Sequence, residues 1–307
     1  MPNPLPQGCG VALVTPFDAT GQLDWGALRR LVDHVIAGGI DFIVVLGTTG
    51  EASSLSTAEA AEVLRLVHDF TDQRVPLIAG PFGGSSTQHV LELFDRYADE
   101  LSLPGYVTVM ASVPSYVKPS QPGMYQHFLA VVERSPLPVL LYNVPGRTGA
   151  HMTPTTTLKL ARASERFIGI KDASARMVEG MQLLRDRPSH FRVYSGDDPT
   201  ALPLMACGAD GVISVVANGY PGLFAEMSRA TLSGKLVTAR RLNRLFIDVH
   251  PWLYADGNPA GIKAVLAQLD LCDKRVRLPL VDVSDEVRDA LIQQVLMLEA
   301  ARAPGLV

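Results

Sequence analysis

The sequence predicts an α/β fold, a (β/α)8 TIM barrel followed by a C-terminal helical extension. Eight short runs rich in Val, Ile and Leu recur between residues 11 and 215, each followed by a longer stretch of helical period. These runs are almost continuously apolar, as strands buried on both faces of a parallel sheet must be. The residues after 218 show helical period only. A doubly wound open sheet is the alternative, but the GxGxxG fingerprint expected after its first strand is missing.

The runs fall at residues 11–17, 42–47, 76–80, 107–112, 139–143, 167–171, 192–197 and 211–215. Between the first two, Leu28, Leu31, Val32, Val35 and Ile36 form one apolar helical face that stops at Gly38-Gly39. Residues 56–59 (STAE) and 85–88 (SSTQ) have the form of capping boxes. Thr153-Pro154 and Asp198-Pro199 each set a cap before a proline at the first helical position. The glycine-rich segment 80–84 lacks the Lys-Ser/Thr of a phosphate loop and is expected to be an ordinary turn. Segments 222–234, 236–250, 259–269 and 284–301 are helical in period, which gives a barrel over residues 1–220 and a helical domain over 221–307.

Composition narrows the function. With 307 residues, 47% of them apolar and 19% charged, the chain can bury a large core. A net charge of −4 with no basic cluster gives no means of attracting nucleic acid. Residues 1–10 have neither a basic nor an apolar leader region, and no run is long enough for a membrane span. Cys9, Cys207 and Cys272 are scattered and without ligand spacing, and the seven histidines form no HxH or HExxH pattern. The expectation is a cytoplasmic enzyme with no metal.

In such a barrel, reactive groups stand at the C-terminal ends of strands. The second run ends in Gly47-Thr48-Thr49-Gly50-Glu51, the fifth in Tyr142-Asn143-Val144-Pro145-Gly146-Arg147, the sixth in Lys171-Asp172 and the seventh in Ser195-Gly196-Asp197-Asp198. Lys171 closes an apolar run, and a desolvated amine is the form that attacks carbonyls. Tyr142 can move protons during imine formation. Thr48 and Thr49, flanked by glycines, can cradle a small carboxylate, and Arg147 offers a fork for a second one. Each residue taken singly has a plainer alternative. Lys171 could pair with Asp172, Tyr142 could be a barrel-top aromatic, Glu51 could satisfy the N–H groups of a tight turn, and Arg147 could be a solvated surface residue.

Taken together, GTTGE at 47–51, YNVPGRTG at 142–149, IGIKD at 168–172, YSGDD at 194–198 and GVISVVAN at 211–218 resemble the dihydrodipicolinate synthase / N-acetylneuraminate lyase family of Schiff-base aldolases. The resemblance spans most of the chain. It implies that Lys171 forms a Schiff base with pyruvate, so that no cofactor is needed, and that Tyr142 is the acid/base, hydrogen-bonded to Thr48. It further implies that Tyr116 enters a neighbouring subunit's site, that Thr49 binds the pyruvate carboxylate, and that Gly196 and Ile213 flank the imine. Arg147, together with Ala173 where sialic-acid lyases carry threonine, points to the carboxylate of L-aspartate semialdehyde as second substrate, with 4-hydroxy-tetrahydrodipicolinate as product. A homo-oligomer, a dimer of dimers, is implied as well. The alternatives are a related aldolase or dehydratase acting on a 2-keto-3-deoxy sugar acid or a hydroxyproline-derived keto acid, and a non-catalytic binding barrel.

Some positions depart from the family pattern: Ser115 and Val117 stand where tyrosine and asparagine are usual, and Pro81-Phe82 where a small Thr-Gly pair is usual. Family members often bind lysine as an inhibitor at the dimer interface. The positions in register with that site are Ser115, Gly84, Gln88, Thr57 and Ala60, none of them charged, so weak or absent inhibition by lysine is expected.

Overall fold

The computed structural model describes residues 5–302. The outer ends of the two expected domains, and the first four residues of the segment searched for a leader, lie outside the described residues. In chain order, β1 (Gly8–Ala12), α1 (Trp25–Ala37), β2 (Phe42–Val45), α2 (Thr57–Thr71), β3 (Leu77–Phe82), α3 (Thr87–Arg96) and α4 (Ala98–Leu101) lead into β4 (Tyr106–Ser112). There follow α5 (Gln121–Arg134), β5 (Val139–Asn143), α6 (Pro145–Thr148), α7 (Pro154–Ala163), β6 (Phe167–Asp172) and α8 (Met177–Asp186). Next come β7 (Arg192–Ser195), α9 (Ala201–Ala206), β8 (Gly211–Ser214) and α10 (Pro221–Leu232). The eight parallel strands close in chain order into a TIM barrel, with β1 paired to both β2 and β8.

Continuous hydrophobicity follows from this closure, because alternate residues of each strand face two different cores. Ala12, Phe42, Val44, Ile78, Met110, Leu140, Ile168, Tyr194 and Ile213 fill the barrel interior with Leu5. Val11, Ile43, Val45, Ala79, Val109, Leu141, Ile170 and Val212 face outward into the layer of helices. Inside, Phe42 and Tyr194 meet edge to face with centroids 5.5 Å apart, and the Tyr194 hydroxyl donates to the Pro6 carbonyl at 2.9 Å.

Four local expectations are corrected. The first strand begins earlier than the apolar run and ends at Ala12. Its start is written in small residues because the space is taken: a Cβ on Gly10 would lie 2.1 Å from the Phe42 ring. Leu13 and Val14 are buried beyond the strand's end: the Leu13 N–H still donates to the Val44 carbonyl at 3.1 Å, but the Val14 N–H leaves the sheet and donates to Asn218 Oδ1 at 3.1 Å. Segment 80–84 is not simply a turn, because β3 continues through Phe82 across a register shift against β4. The helix at 85–88 is capped one residue later, by the Ser86 side chain accepting from the His89 N–H. Asp198 caps no helix: its Oδ2 accepts the N–H groups of Val215 and Val216 at 2.9 Å each. By contrast Ser56 and Glu59 form the expected capping box, and Thr153 caps α7 with proline in its first turn.

The helix α10 packs on β1, β8 and α1 as part of the ring around the barrel. Beyond it, α11 (Leu236–Arg244) packs on α10, while α12 (Val249–Ala255), α13 (Ala260–Gln268) and α14 (Asp285–Arg302) pack on one another. Among the described residues no helix is long and apolar enough to cross a membrane, and no group of His, Cys, Asp and Glu could hold a metal ion.

Candidate active site

Strand alternation aims the site. Ile170 and Leu141 face the helices, so the next residues, Lys171 and Tyr142, face the barrel mouth. The two are register partners on β6 and β5. The Lys171 amine lies over the Tyr142 ring, 4.6 Å from its centroid, and both side chains are buried. Lys171 does not pair with Asp172. That carboxylate takes hydrogen bonds from Asn143 Nδ2 at 3.1 Å and from the Ser174 hydroxyl at 3.0 Å, and burial raises its pKa.

Gly196, at the end of the neighbouring strand, makes room for the lysine. A Cβ there would lie 2.9 Å from Lys171 Cγ and 3.0 Å from its Cε, so any side chain would displace the amine-bearing stem. Ile213 projects into the same barrel interior from β8. The structure thus brings Lys171, Tyr142, Gly196 and Ile213 together on one rim.

Thr48 and Thr49 open a 3-10 turn, residues Thr48–Gly50, directly after β2. Thr49 is buried, and its Oγ1 accepts from Asn258 Nδ2 at 3.0 Å. Glu51 does not serve the turn's own N–H groups. Its Oε1 takes the Lys263 amine at 2.6 Å and its Oε2 the Arg277 N–H at 3.0 Å, both from the C-terminal helical part. Lys263 and Glu51 have fully buried side chains, and the amine also lies 4.1 Å from the centroid of the Phe17 ring. Burial lowers the Lys263 pKa, with Glu51 working against that shift. Arg277 adds a two-pronged pair with Glu59, which holds that carboxyl down at about 2.

A cavity of about 630 Å3 opens beside this rim, lined by Thr48, Tyr142 and Arg147 together with Thr57, His89 and Arg96. Tyr142 is the residue shared between the cavity and the lysine. No hydrogen bond joins the Thr48 and Tyr142 hydroxyls in the described residues, although both line the cavity; such contacts tighten when substrate binds. Arg147 is exposed on the single turn α6. Of the positions in register with the family's lysine site, Thr57, Ala60, Gly84 and Ser115 share this cavity, whereas the Gln88 side chain turns to Glu92 at 3.1 Å. Tyr116 stands apart, 89% exposed, with a left-handed backbone at φ 69°.

Sequence reading missed the partners that come from far along the chain. Asn258, Lys263 and Arg277 lie more than 200 residues from the turn they hold, and no local pattern marks them. The one available signal was a lysine inside an otherwise apolar helix, AGIKAVLAQ, which calls for a buried counter-charge.

Comparison with known proteins agrees with this architecture. The model of the dihydrodipicolinate synthetase family matches residues 5–297. A 4-hydroxy-tetrahydrodipicolinate synthase of Flavobacterium psychrophilum is 42% identical over 284 residues, covering 92% of this chain and 95% of that protein. The crystal structure of the chloride-inhibited dihydrodipicolinate synthase from Acinetobacter baumannii complexed with pyruvate is 38% identical, with a TM-score of 0.90 over 95% of this chain and 99% of that one. A monomeric dihydrodipicolinate synthase variant has a TM-score of 0.91 at 32% identity, over 95% and 96% of the two chains. With its fold, strand-end motifs and nearly full-length matches in accord, this chain belongs to the dihydrodipicolinate synthetase family.

Proposed function

We propose that the chain is a 4-hydroxy-tetrahydrodipicolinate synthase that condenses pyruvate with L-aspartate semialdehyde. The observation that carries this reading is the buried Lys171 amine stacked on Tyr142, with Gly196 leaving space beside it. The Lys171 amine adds to the pyruvate ketone and water leaves, giving an imine. Loss of a methyl proton gives the enamine, whose carbon attacks the aldehyde. The second substrate's own amine then attacks the imine carbon, which closes the ring and frees Lys171.

Tyr142 carries the protons of imine formation, a role supported by its ring contact with the lysine and by its place in the cavity wall. Thr48 and Thr49 hold the pyruvate carboxylate through turn N–H groups and hydroxyls, and Arg147 takes the carboxylate of the aldehyde substrate. The chemistry calls for no cofactor. A homo-oligomer in which Tyr116 completes a neighbour's site accounts for an aromatic side chain that is 89% exposed. A cytoplasmic enzyme accords with this biosynthetic role.

Trapping tests the assignment directly. Borohydride reduction with pyruvate should add one pyruvyl group, mapped by peptide mass spectrometry to Lys171, and Lys171→Ala should abolish both adduct and turnover. An adduct on Lys118 or Lys263 would sink it.

A further inference from the structure

A hydrogen-bonded chain runs outward from the residues that follow Tyr142 and Lys171. Asn143 and Asp172 are register partners on β5 and β6, and Asn143 Nδ2 donates to Asp172 Oδ1 at 3.1 Å. The orientation of this amide is fixed, because its Oδ1 accepts the Met152 N–H at 3.1 Å. Its NH2 group therefore also faces the Met152 carbonyl at 3.3 Å and His151 Nδ1 at 3.2 Å. On the far side of the ring, His151 Nε2 lies 2.6 Å from Glu179 Oε2 on α8, and Arg176 holds the other oxygen of Glu179 at 2.9 Å.

The loop between Asn143 and His151 carries Arg147. Inside it, the Thr148 hydroxyl bonds to the carbonyls of Val144 and Ala150. The Thr148 carbonyl also accepts the Tyr116 N–H at 3.1 Å. The loop's far end is fixed by three contacts: Asn143 on Met152, Glu179 on the His151 ring, and Gln121 Nε2 on the His151 carbonyl at 2.7 Å.

Partial burial works against the Glu179 charge, but its hydrogen bonds with Arg176 and His151 hold its carboxyl below the usual range, so the ring is tied to an anion on α8. On its other side Nδ1 faces the Asn143 NH2 group. The charged groups around the ring are Glu179 and Arg176 at α8 and Asp172 on β6, while α5 contributes the uncharged Gln121.

We propose that His151 is a positioning residue for Arg147, fixing where the guanidinium meets the carboxylate of the second substrate. This rests on the reading of Arg147 given above. The test compares His151→Leu, His151→Asn and Arg147→Ala by steady-state kinetics, with KM measured for each substrate. His151→Leu should raise the KM for the aldehyde roughly ten- to a hundredfold, the effect of a small displacement of a substrate-positioning group, and leave that for pyruvate unchanged. His151→Asn keeps an acceptor toward Asn143 and should recover most of that loss. Equal changes in both KM values, or a loss of thermal stability with both KM values unchanged, would overturn the proposal. If Arg147→Ala raises the aldehyde KM and His151→Leu does not, the positioning role alone falls. If Arg147→Ala leaves that KM unchanged, the assignment of Arg147 falls and takes the proposal with it.

Discussion

The strand-end rim and the outer wall of the cavity beside it are built by different rules. Lys171, Tyr142 and Ile213 are the last inward-facing residues of strands, and sheet register fixes their positions relative to one another. Thr57, His89, Arg96 and Ser115, by contrast, come from helix starts, helix faces and a loop. A residue on a strand end cannot move without moving the barrel. A residue on the outer wall can be exchanged at little structural cost, so under the proposed function the chemistry falls to the first region and selectivity to the second.

The largest effect that would break this comparison lies on the rim. Tyr142→Phe keeps the ring that stacks on Lys171 and removes only the hydroxyl, so stability should hold while turnover falls by about 10²–10⁴. A variant with wild-type turnover would show that the rim has no monopoly on proton transfer.

On the outer side, Tyr116→Ala should lower kcat by about 10²-fold, the lower end of the range for a proton-handling group. Stability should change by less than about 0.5 kcal/mol, as for other surface substitutions. Sedimentation-coupled assays would separate the two uses of this residue: a fully active monomer would reduce Tyr116 to an ordinary loop aromatic.

L-Lysine sharpens the contrast from the ligand side. The cavity wall holds Arg96, Arg147 and His89 and no carboxylate among its lining residues, so an ammonium finds no counter-charge there. Millimolar L-lysine should leave the coupled rate unchanged, and strong inhibition would place a cation site on the wall after all.

The smallest effect is one of stability and vanishes at neutral pH. His127 on α5, bonded through Nδ1 to the Thr87 hydroxyl at 2.9 Å, is buried and held down at about 4. As pH falls from about 6.5 toward that value, the unfolded chain takes up a proton that the folded one refuses, so stability declines. Urea unfolding at several pH values should show this slope in the wild type and a flatter one in His127→Leu.

Much of this was legible because barrels repeat. Each strand carries enough Val, Ile and Leu to stand out, and position at its end already suggests exposure to substrate, which is how Lys171 and Tyr142 could be singled out. Legibility failed where burial and pairing part company. Val14 is apolar because it is covered, not because it pairs, whereas Gly8-Cys9-Gly10 pairs without looking like a strand. Asp198 has the spelling of a helix cap but spends its carboxylate on the N–H groups beyond β8. His151 gave no sign at all, since its meaning depends on Asn143 and on Glu179, 28 residues further on.

The buried pair of Glu51 and Lys263 sets an order of events on the ribosome. All eight strands have been synthesised once Ser214 has emerged, and the barrel can begin to close. Glu51 has then been waiting for more than 200 residues for its counter-ion, and Arg277 comes later still. Until both arrive, an uncompensated carboxylate in the turn after β2 must stay hydrated, which keeps Thr48 and Thr49 from settling. The nascent chain therefore has all eight strands of its barrel before it has the residues that fix the turn after β2.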